Sequence, residues 1–382
     1  MTGHTLRWAV IAVAAFAAGC GDKPQQAGDS QLVLIGQVSP LTGPQAHLGK
    51  DNENGARLAL EEINAAGLML GGKKVVLDMK SEDDAADPKT ATTVAQKLVD
   101  EGVAGVIGHL NSGSTIPASK IYYDNGIPQI SPSATAVAYT ASGFNTAYRV
   151  MTNDAQQGSV LGNFAVTKLG AKKIAIIDDR TAYGQGLADV VEKVAKEKGI
   201  KVVAREFATD KTTDFNAILT KIRGSKPDVI MYGGMDATAG PMAKQMKQLG
   251  IKSVLLAGDG VCSPEFVKLA GDAAGIMHCS MAGEAVEKLA KGEEFKAKYK
   301  AEFNQDVQIY SPYSYDAVYV IVDAIKRAGK VDRAAITAAM PATNYPGLTG
   351  TIAFDEKGDI KNGAISMFKV AGDKLEYIST VR

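Results

Sequence analysis

Indole, thiol and imidazole are nearly missing from this chain: one Trp, three Cys and four His in 382 residues. The four histidines, at positions 4, 47, 109 and 278, show no metal-ligand spacing, and none surrounds the cysteines. Net charge is missing too. Lys+Arg total 42 and Asp+Glu total 42, which argues against the basic stripe of a nucleic-acid binder. No Gly-x-Ser-x-Gly elbow occurs. Gly67-Leu-Met-Leu-Gly-Gly-Lys-Lys74 approaches a phosphate loop, but it ends in Lys instead of Ser/Thr and follows a helical pattern, so it reads as a turn. Tyr183-Gly-Gln-Gly186 lacks the third glycine of a dinucleotide fingerprint. Without a nucleophile–base set or a phosphate loop, the expectation is no enzyme and no cofactor.

Residues 1–20 stand apart from the rest. Arg7 precedes a short apolar run, Trp8 to Ala18, that is too short to span a bilayer and has the form of an export signal. Ala17-Ala-Gly-Cys20 is similar to a lipoprotein box, in which Cys20 is acylated; an ordinary signal cut nearby is the alternative. Residues 21–30 are polar with Gly and Pro and read as a tether. No later run is long and apolar enough to cross a membrane. Loss of the leader removes Trp8 and leaves Cys262 and Cys279. An even pair in an oxidising compartment predicts a disulfide worth about 3 kcal/mol, with two buried thiols as the alternative.

About 360 residues remain, too many for one ordinary core, so two domains are expected. The 40 glycines fit many tight turns. Strand and helix patterns alternate: strands Leu32 to Val38, Lys74 to Met79, Val103 to Gly108 and Ile127 to Ser131, with helices Asn54 to Ala66, Pro88 to Asp100 and one through Tyr123. Glu82-Asp-Asp84 reads as a solvated loop, and His109, closing a strand, as a structural hydrogen-bonder. Past residue 150 the pattern restarts with strands Lys173 to Asp178, Lys201 to Arg205, Asp228 to Tyr232 and Ser253 to Ala257, and helices Gly186 to Lys198 and Phe215 to Arg223. This is the grammar of doubly wound parallel sheets in two lobes. Helices Phe295 to Phe303 and Tyr313 to Ala328 could return to the first lobe, and the tail from Thr349 reads as antiparallel strands.

Two turns hold most of the polar chemistry. Asn111-Ser-Gly-Ser-Thr115 follows one buried strand and Ser131-Pro-Ser-Ala-Thr135 the next. Ligands of open α/β sheets sit outside the carboxyl ends of strands, so both turns would face one crevice. Hydroxyls, backbone N–H groups and a helix start there suit a carboxylate. The competing reading is that each Ser or Thr is a cap or turn former.

Several segments then agree with one family. Asn54-Gly-Ala-Arg57, Glu61-Glu-Ile-Asn64, Gly108-His-Leu110, Ser112, Ser131-Pro132, Tyr183-Gly184 and Gly258-Asp-Gly260 resemble, in that order, the type I periplasmic binding proteins that feed branched-chain amino acids to ABC transporters. The resemblance implies an α/β fold of two doubly wound lobes joined by three crossovers. It divides the chain into lobe I, residues 31–153 and 282–363, and lobe II, residues 154–281 and 364–382. It implies that Ser112 and Thr135 hold a ligand carboxylate, with Asn111, Ser133 and Ala134 beside them. Tyr183 would close from the second lobe. Asp259 stands where leucine-binding members carry Glu, and would meet the ammonium. Met235 and Leu48 stand where those members carry Tyr and Trp, so the side-chain pocket departs from the pattern.

The leading function is therefore periplasmic capture of an amino acid by a monomer, held to the membrane at most by lipid, for an inner-membrane ABC permease. A binding protein for amides or other small carboxylates, a ligand sensor of the same fold, and an enzyme are the competitors.

Overall fold

The computed structural model describes residues 30–382. The expected export signal, Cys20 and all but the last residue of the tether lie outside the described residues. The first half runs β1 (Gln31–Ser39), α1 (Ala46–Ala66), β2 (Met69–Leu70), β3 (Lys73–Asp83), α2 (Pro88–Asp100), β4 (Gly105–Gly108), α3 (Ser112–Asp124), β5 (Gln129–Ser131), α4 (Ala138–Ala141) and β6 (Ala147–Arg149). These strands form one sheet in the order β2-β3-β1-β4-β5-β6, parallel apart from the β2–β3 hairpin. The hairpin is where the false phosphate loop falls. The order reverses between β1 and β4, which opens a crevice outside their carboxyl ends.

A second unit follows: α5 (Asp154–Thr167), β7 (Lys173–Asp178), α6 (Ala182–Glu197), β8 (Lys201–Phe207), α7 (Asn216–Arg223), β9 (Val229–Gly233), α8 (Asp236–Gln248), β10 (Val254–Ala257), α9 (Pro264–Ala270) and β11 (Met277–Met281). The chain then supplies α10 (Gly292–Phe303), α11 (Ser311–Ala328), α12 (Arg333–Ala339) and the hairpin β12 (Tyr345–Gly347)–β13 (Gly350–Ile352). Helix α11 packs on α1 and β4 of the first unit. The last hairpin, β14 (Ile365–Ala371) and β15 (Lys374–Val381), joins the second sheet, whose order is β15-β14-β11-β10-β9-β7-β8. Strands β11, β10, β9, β7 and β8 are mutually parallel; β14 pairs antiparallel with β11, and β15 antiparallel with β14. These are two doubly wound lobes, and the chain passes between them three times: after β6, after β11 and between β13 and β14.

The three crossings are bonded to one another. Thr152 N–H donates to Ala282 O at 3.0 Å and its Oγ1 donates to Ala364 O at 2.8 Å. Ala285 N–H donates to Ser366 Oγ at 3.1 Å. Arg149, fully buried, gives Nε–H to Asp359 Oδ1 at 2.5 Å, and Asp359 also accepts from Thr140 Oγ1 and Asn153 Nδ2. A buried guanidinium is tolerable only when paired in this way.

Three sequence expectations need correction. Helix α1 begins at Ala46, eight residues before the expected start at Asn54. Beside Leu48, its first turns bury polar groups, Asp51, Asn52 and Glu53, and Asp51 accepts backbone N–H bonds from residues 308 to 311, so hydrophobic periodicity marks them poorly. The Glu82-Asp-Asp84 run is not a solvated loop. Strand β3 continues to Asp83, and Asp84 is fully buried with its Oδ2 on His109 Nδ1 at 2.8 Å. Finally, α5, α8 and β11 were not expected. In α5, a Cβ on Gly158 or Gly162 would lie 2.6 Å from Val190 or Val194 of α6. These glycines let the two helices approach closely, and they also erase the apolar stripe that would announce a helix.

Candidate functional site

Both sheets point their carboxyl-terminal strand ends at one cleft. From the first sheet come Leu110, Asn111 and Ser112 after β4, and Ser133 after β5; from the second come Tyr183 after β7, Met235 after β9, and Asp259 and Gly260 after β10. Tyr310, from the start of α11, completes the wall.

Local structure explains each placement. Gly108 has φ +127°, and a Cβ there would lie 2.3 Å from Val38 O, so only glycine lets β4 pass β1 into the Asn111 turn. Asn111 is the N-cap of α3, although its side chain caps nothing; its Nδ2 donates to Gln45 Oε1 at 2.7 Å and its Oδ1 is buried with no partner. Ser131 Oγ donates to His109 O and accepts from Ala134 N–H, both at 2.8 Å, which fastens the second turn to the first. His109 is fully buried, bonded to Asp84 and, through Nε2, to Tyr122 OH at 3.1 Å. Tyr183 sits in the first turn of α6, which is capped by Thr181 Oγ1 accepting from Gly184 N–H.

The first lobe offers donors. Ser112 Oγ accepts only from Ala136 N–H, at 3.1 Å, and Ser133 Oγ only from Asn52 Nδ2, at 3.2 Å, leaving both hydroxyl protons free to donate. Thr135 Oγ1 is buried without a partner just behind the wall. The second lobe offers an acid. Asp259 is 2% exposed; its Oδ1 accepts from Gln157 Nε2 at 2.7 Å and Tyr183 OH at 3.1 Å, and its Oδ2 from Tyr310 OH at 2.8 Å. Burial raises its pKa above the ordinary carboxyl value. Asp154 lies close by, 1% exposed, joined to Asp259 through the Gln157 amide, which also donates to Asp154 Oδ1 at 3.0 Å. Burial, and then the neighbouring Asp259 charge, push Asp154 up to about 7. The desolvated acid Asp259, with Asp154 behind it, thus shares the cleft wall with the Ser112 and Ser133 hydroxyls: the arrangement complements a zwitterion.

The space enclosed by these nine residues is about 20 Å³, enough for about one water. A groove of about 440 Å³ continues outward past the shared walls Asn111, Tyr183 and Met235. A solute the size of an amino acid enters this cleft only when the lobes part. A hollow of about 450 Å³ elsewhere, between α10 and the β12–β13 hairpin, is lined by Phe295, Tyr315 and Tyr345. Its buried acid Asp316 is already bonded by Leu348 and Thr349, so it offers no unmet polar group.

Of the residues singled out in the sequence, Asn111, Ser112, Ser133, Tyr183, Met235 and Asp259 come together on the cleft wall. Three do not. Leu48 is wholly covered in the core of the first lobe. Ala134 has both backbone groups engaged, its N–H by Ser131 Oγ and its carbonyl by Arg149 Nη1 at 2.7 Å. Thr135 stands one layer back, its carbonyl held by Asp154 N–H at 2.8 Å. Sequence reasoning missed Tyr310, Gln157 and Asp154. Nothing local marks them; they reach Asp259 only through the tertiary fold. Cys262 and Cys279 are bonded, S–S 2.10 Å, beside the loop that carries Asp259.

Residues 33–374 match the family described as periplasmic binding protein. The Leu/Ile/Val-binding protein homolog 1 of Brucella abortus (strain 2308) is 38% identical over 351 residues, covering 91% of this chain and 93% of that protein. The leucine-, isoleucine-, valine-, threonine- and alanine-binding protein of Pseudomonas aeruginosa is 35% identical over 362 residues, 95% and 94% of the two chains. Among solved structures, the leucine binding protein LivK of Thermotoga maritima superposes with a TM-score of 0.85 at 27% identity, covering 91% of this chain and 98% of its own. The branched-chain amino acid transporter substrate binding protein LivJ of Streptococcus pneumoniae, in complex with isoleucine, gives 0.83 at 28% identity, covering 92% and 99%.

Proposed function

This chain belongs to the periplasmic binding protein family, and on that premise we propose that it captures an amino acid, branched-chain and aliphatic, between its lobes and delivers it to an ABC permease without chemical change. The observation that carries this reading is the opposition of free hydroxyl donors on Ser112 and Ser133 to the buried carboxylate of Asp259. A zwitterion laid across the cleft gives its carboxylate to the first lobe and its ammonium to the second. Each charge leaves water only because a partner waits for it. Leu110 and Met235 then form an apolar wall, with the thioether adapting to a branched side chain. Because the ligand contacts both lobes, it binds the closed form more strongly than the open one, and this differential affinity drives closure. The permease would read the closed surface.

The family name points to the periplasm, and among the described residues no helix is long and apolar enough to cross a membrane. The cysteine at position 20 would then anchor the chain by lipid. The test of the ligand is calorimetry with leucine, isoleucine and valine, where micromolar or tighter binding is expected. Absence of heat with all three removes the substrate assignment.

One observation favours a second reading. Asp259 already receives three neutral donors, from Gln157, Tyr183 and Tyr310, and so does not require a cation. A carboxylate without an ammonium would fit such a site. Calorimetry with 4-methylpentanoate beside leucine separates the two, since only the first reading requires the amine.

A further inference from the structure

Two polar side-chain contacts join the lobes across the cleft: Tyr310 to Asp259, already described, and His47 to Asp236. His47 is the second residue of α1 in the first lobe, and Asp236 the first residue of α8 in the second. His47 Nε2 lies 2.8 Å from Asp236 Oδ2, with the His side chain 23% exposed and the Asp side chain wholly covered. Among the described residues, no other ion pair links α1–α4 to α5–α9. Ser263 Oγ donates to the same Oδ2 at 2.5 Å, and the other oxygen of Asp236 is buried without a partner. The negative charge rests at the N-terminus of α8, where the helix dipole favours it. Met235, the preceding residue, is a wall of the ligand cavity. The pair therefore sits at the edge of the binding site, one member on each lobe.

We propose that His47 and Asp236 are positioning residues for ligand capture: they form a proton-dependent clasp that holds the two lobes closed beside the cavity. The inference rests on the two-lobe capture reading for its link to affinity; the His47–Asp236 contact itself belongs to the closed arrangement of the lobes. When the lobes part, His47 returns to water and loses its partner. The charged groups that face it when closed are all acidic: Asp236 on α8, Glu265 at the start of α9 and Asp51 on its own helix. Burial lowers the His47 pKa, but the hydrogen bond to Asp236 and these charges outweigh it, leaving it raised above 6.5. Closure thus takes up a proton. Its contribution is fully present below the open-state value and is lost as pH rises through the raised, closed-state value. The buried acid Asp154, pushed up to about 7, titrates in the same window, so the signal is the difference between variants and not the raw pH profile.

The experiment measures the dissociation constant of L-leucine by calorimetry from pH 5.5 to 8.5 for the whole chain and for His47→Gln. Expected is a ratio of variant to parent that is near one at pH 8.5 and rises to about three- to tenfold at pH 5.5. In parallel, NMR titration of the His47 ring in leucine-saturated protein should give a pKa above 6.5 that falls back in Asp236→Asn. A flat ratio with leucine still bound overturns the clasp and leaves the capture reading intact. If no amino acid binds, the amino-acid reading fails and the NMR titration is made with 4-methylpentanoate, the probe of the second reading: an unshifted His47 pKa, or one indifferent to Asp236→Asn, overturns the clasp.

Discussion

Replacing Asp259 by Asn is expected to weaken leucine binding by about 100-fold or more, because a desolvated ammonium would face an amide where it met a charge. The substitution keeps the volume and most of the hydrogen-bonding surface, so the lobe should fold normally. With the amide oxygen at the Oδ1 position it still accepts from Gln157 and Tyr183, now 2.7 and 3.1 Å away, and the amide NH2 at the Oδ2 position donates to Tyr310 OH, 2.8 Å away. Titration calorimetry checks the loss, and 4-methylpentanoate supplies the control. If the ligand carries no amine, Asn at this position leaves its affinity unchanged or improves it. An unchanged leucine affinity would remove Asp259 from the site and return it to the role of a structural acid.

The second large effect concerns Asp154, and its sign is opposite for stability and for binding. Asp154 is raised from 3.8 to about 7 in the folded chain, mainly by burial. The folded state therefore holds a proton that the unfolded chain releases. The favourable contribution is present below the unfolded value of 3.8 and disappears as pH rises through about 7. Above that, the native state carries a buried charge with one oxygen unpartnered. Asp154→Asn matches the neutral acid at every pH and keeps the Gln157 bond. It is expected to stabilise the protein at both pH values, by roughly 2 kcal/mol more at pH 8 than at pH 5. Thermal melts at the two pH values read this difference directly. The same variant should bind an amino acid more weakly, since it removes one of two acids that attract the ammonium. A variant no more stable at pH 8 than at pH 5, relative to the parent, would show that Asp154 is neutral for another reason.

Much of this site was legible in the sequence because it depends on local grammar. Buried strands ending in Ser131-Pro-Ser-Ala-Thr135 and Asn111-Ser-Gly-Ser-Thr115 state both the sheet and the position of the crevice. The architecture was legible for the same reason: alternating periods of two and 3.6 survive wherever one face is apolar. What stayed hidden was polar or distant. The first two turns of α1 are buried on carboxylate contacts with residues 308 to 311, and no hydrophobic pattern reports a buried Asp51. The α5 helix that carries Asp154 and Gln157 is written with close-packing glycines, which look like a loop. Tyr310 reaches Asp259 across 51 positions, and His47 reaches Asp236 across 189. Contacts of that range are set by the meeting of two lobes and leave no mark in either segment alone. Leu48, which the resemblance implied for the side-chain pocket, is not among the nine residues around the enclosed space.

The bonds among the three crossings have a mechanical meaning. Thr152 touches both of the other passages, and Arg149 with Asp359 pins the first to the third. Parallel strings tied together near their midpoints resist shear and torsion and leave bending as the soft direction. The halves of this molecule therefore swing apart like a book on its spine, with the page edges travelling furthest. A solute meets the same pair of facing margins on every approach, and whatever reads the outer edge is told only one thing, whether the book is shut.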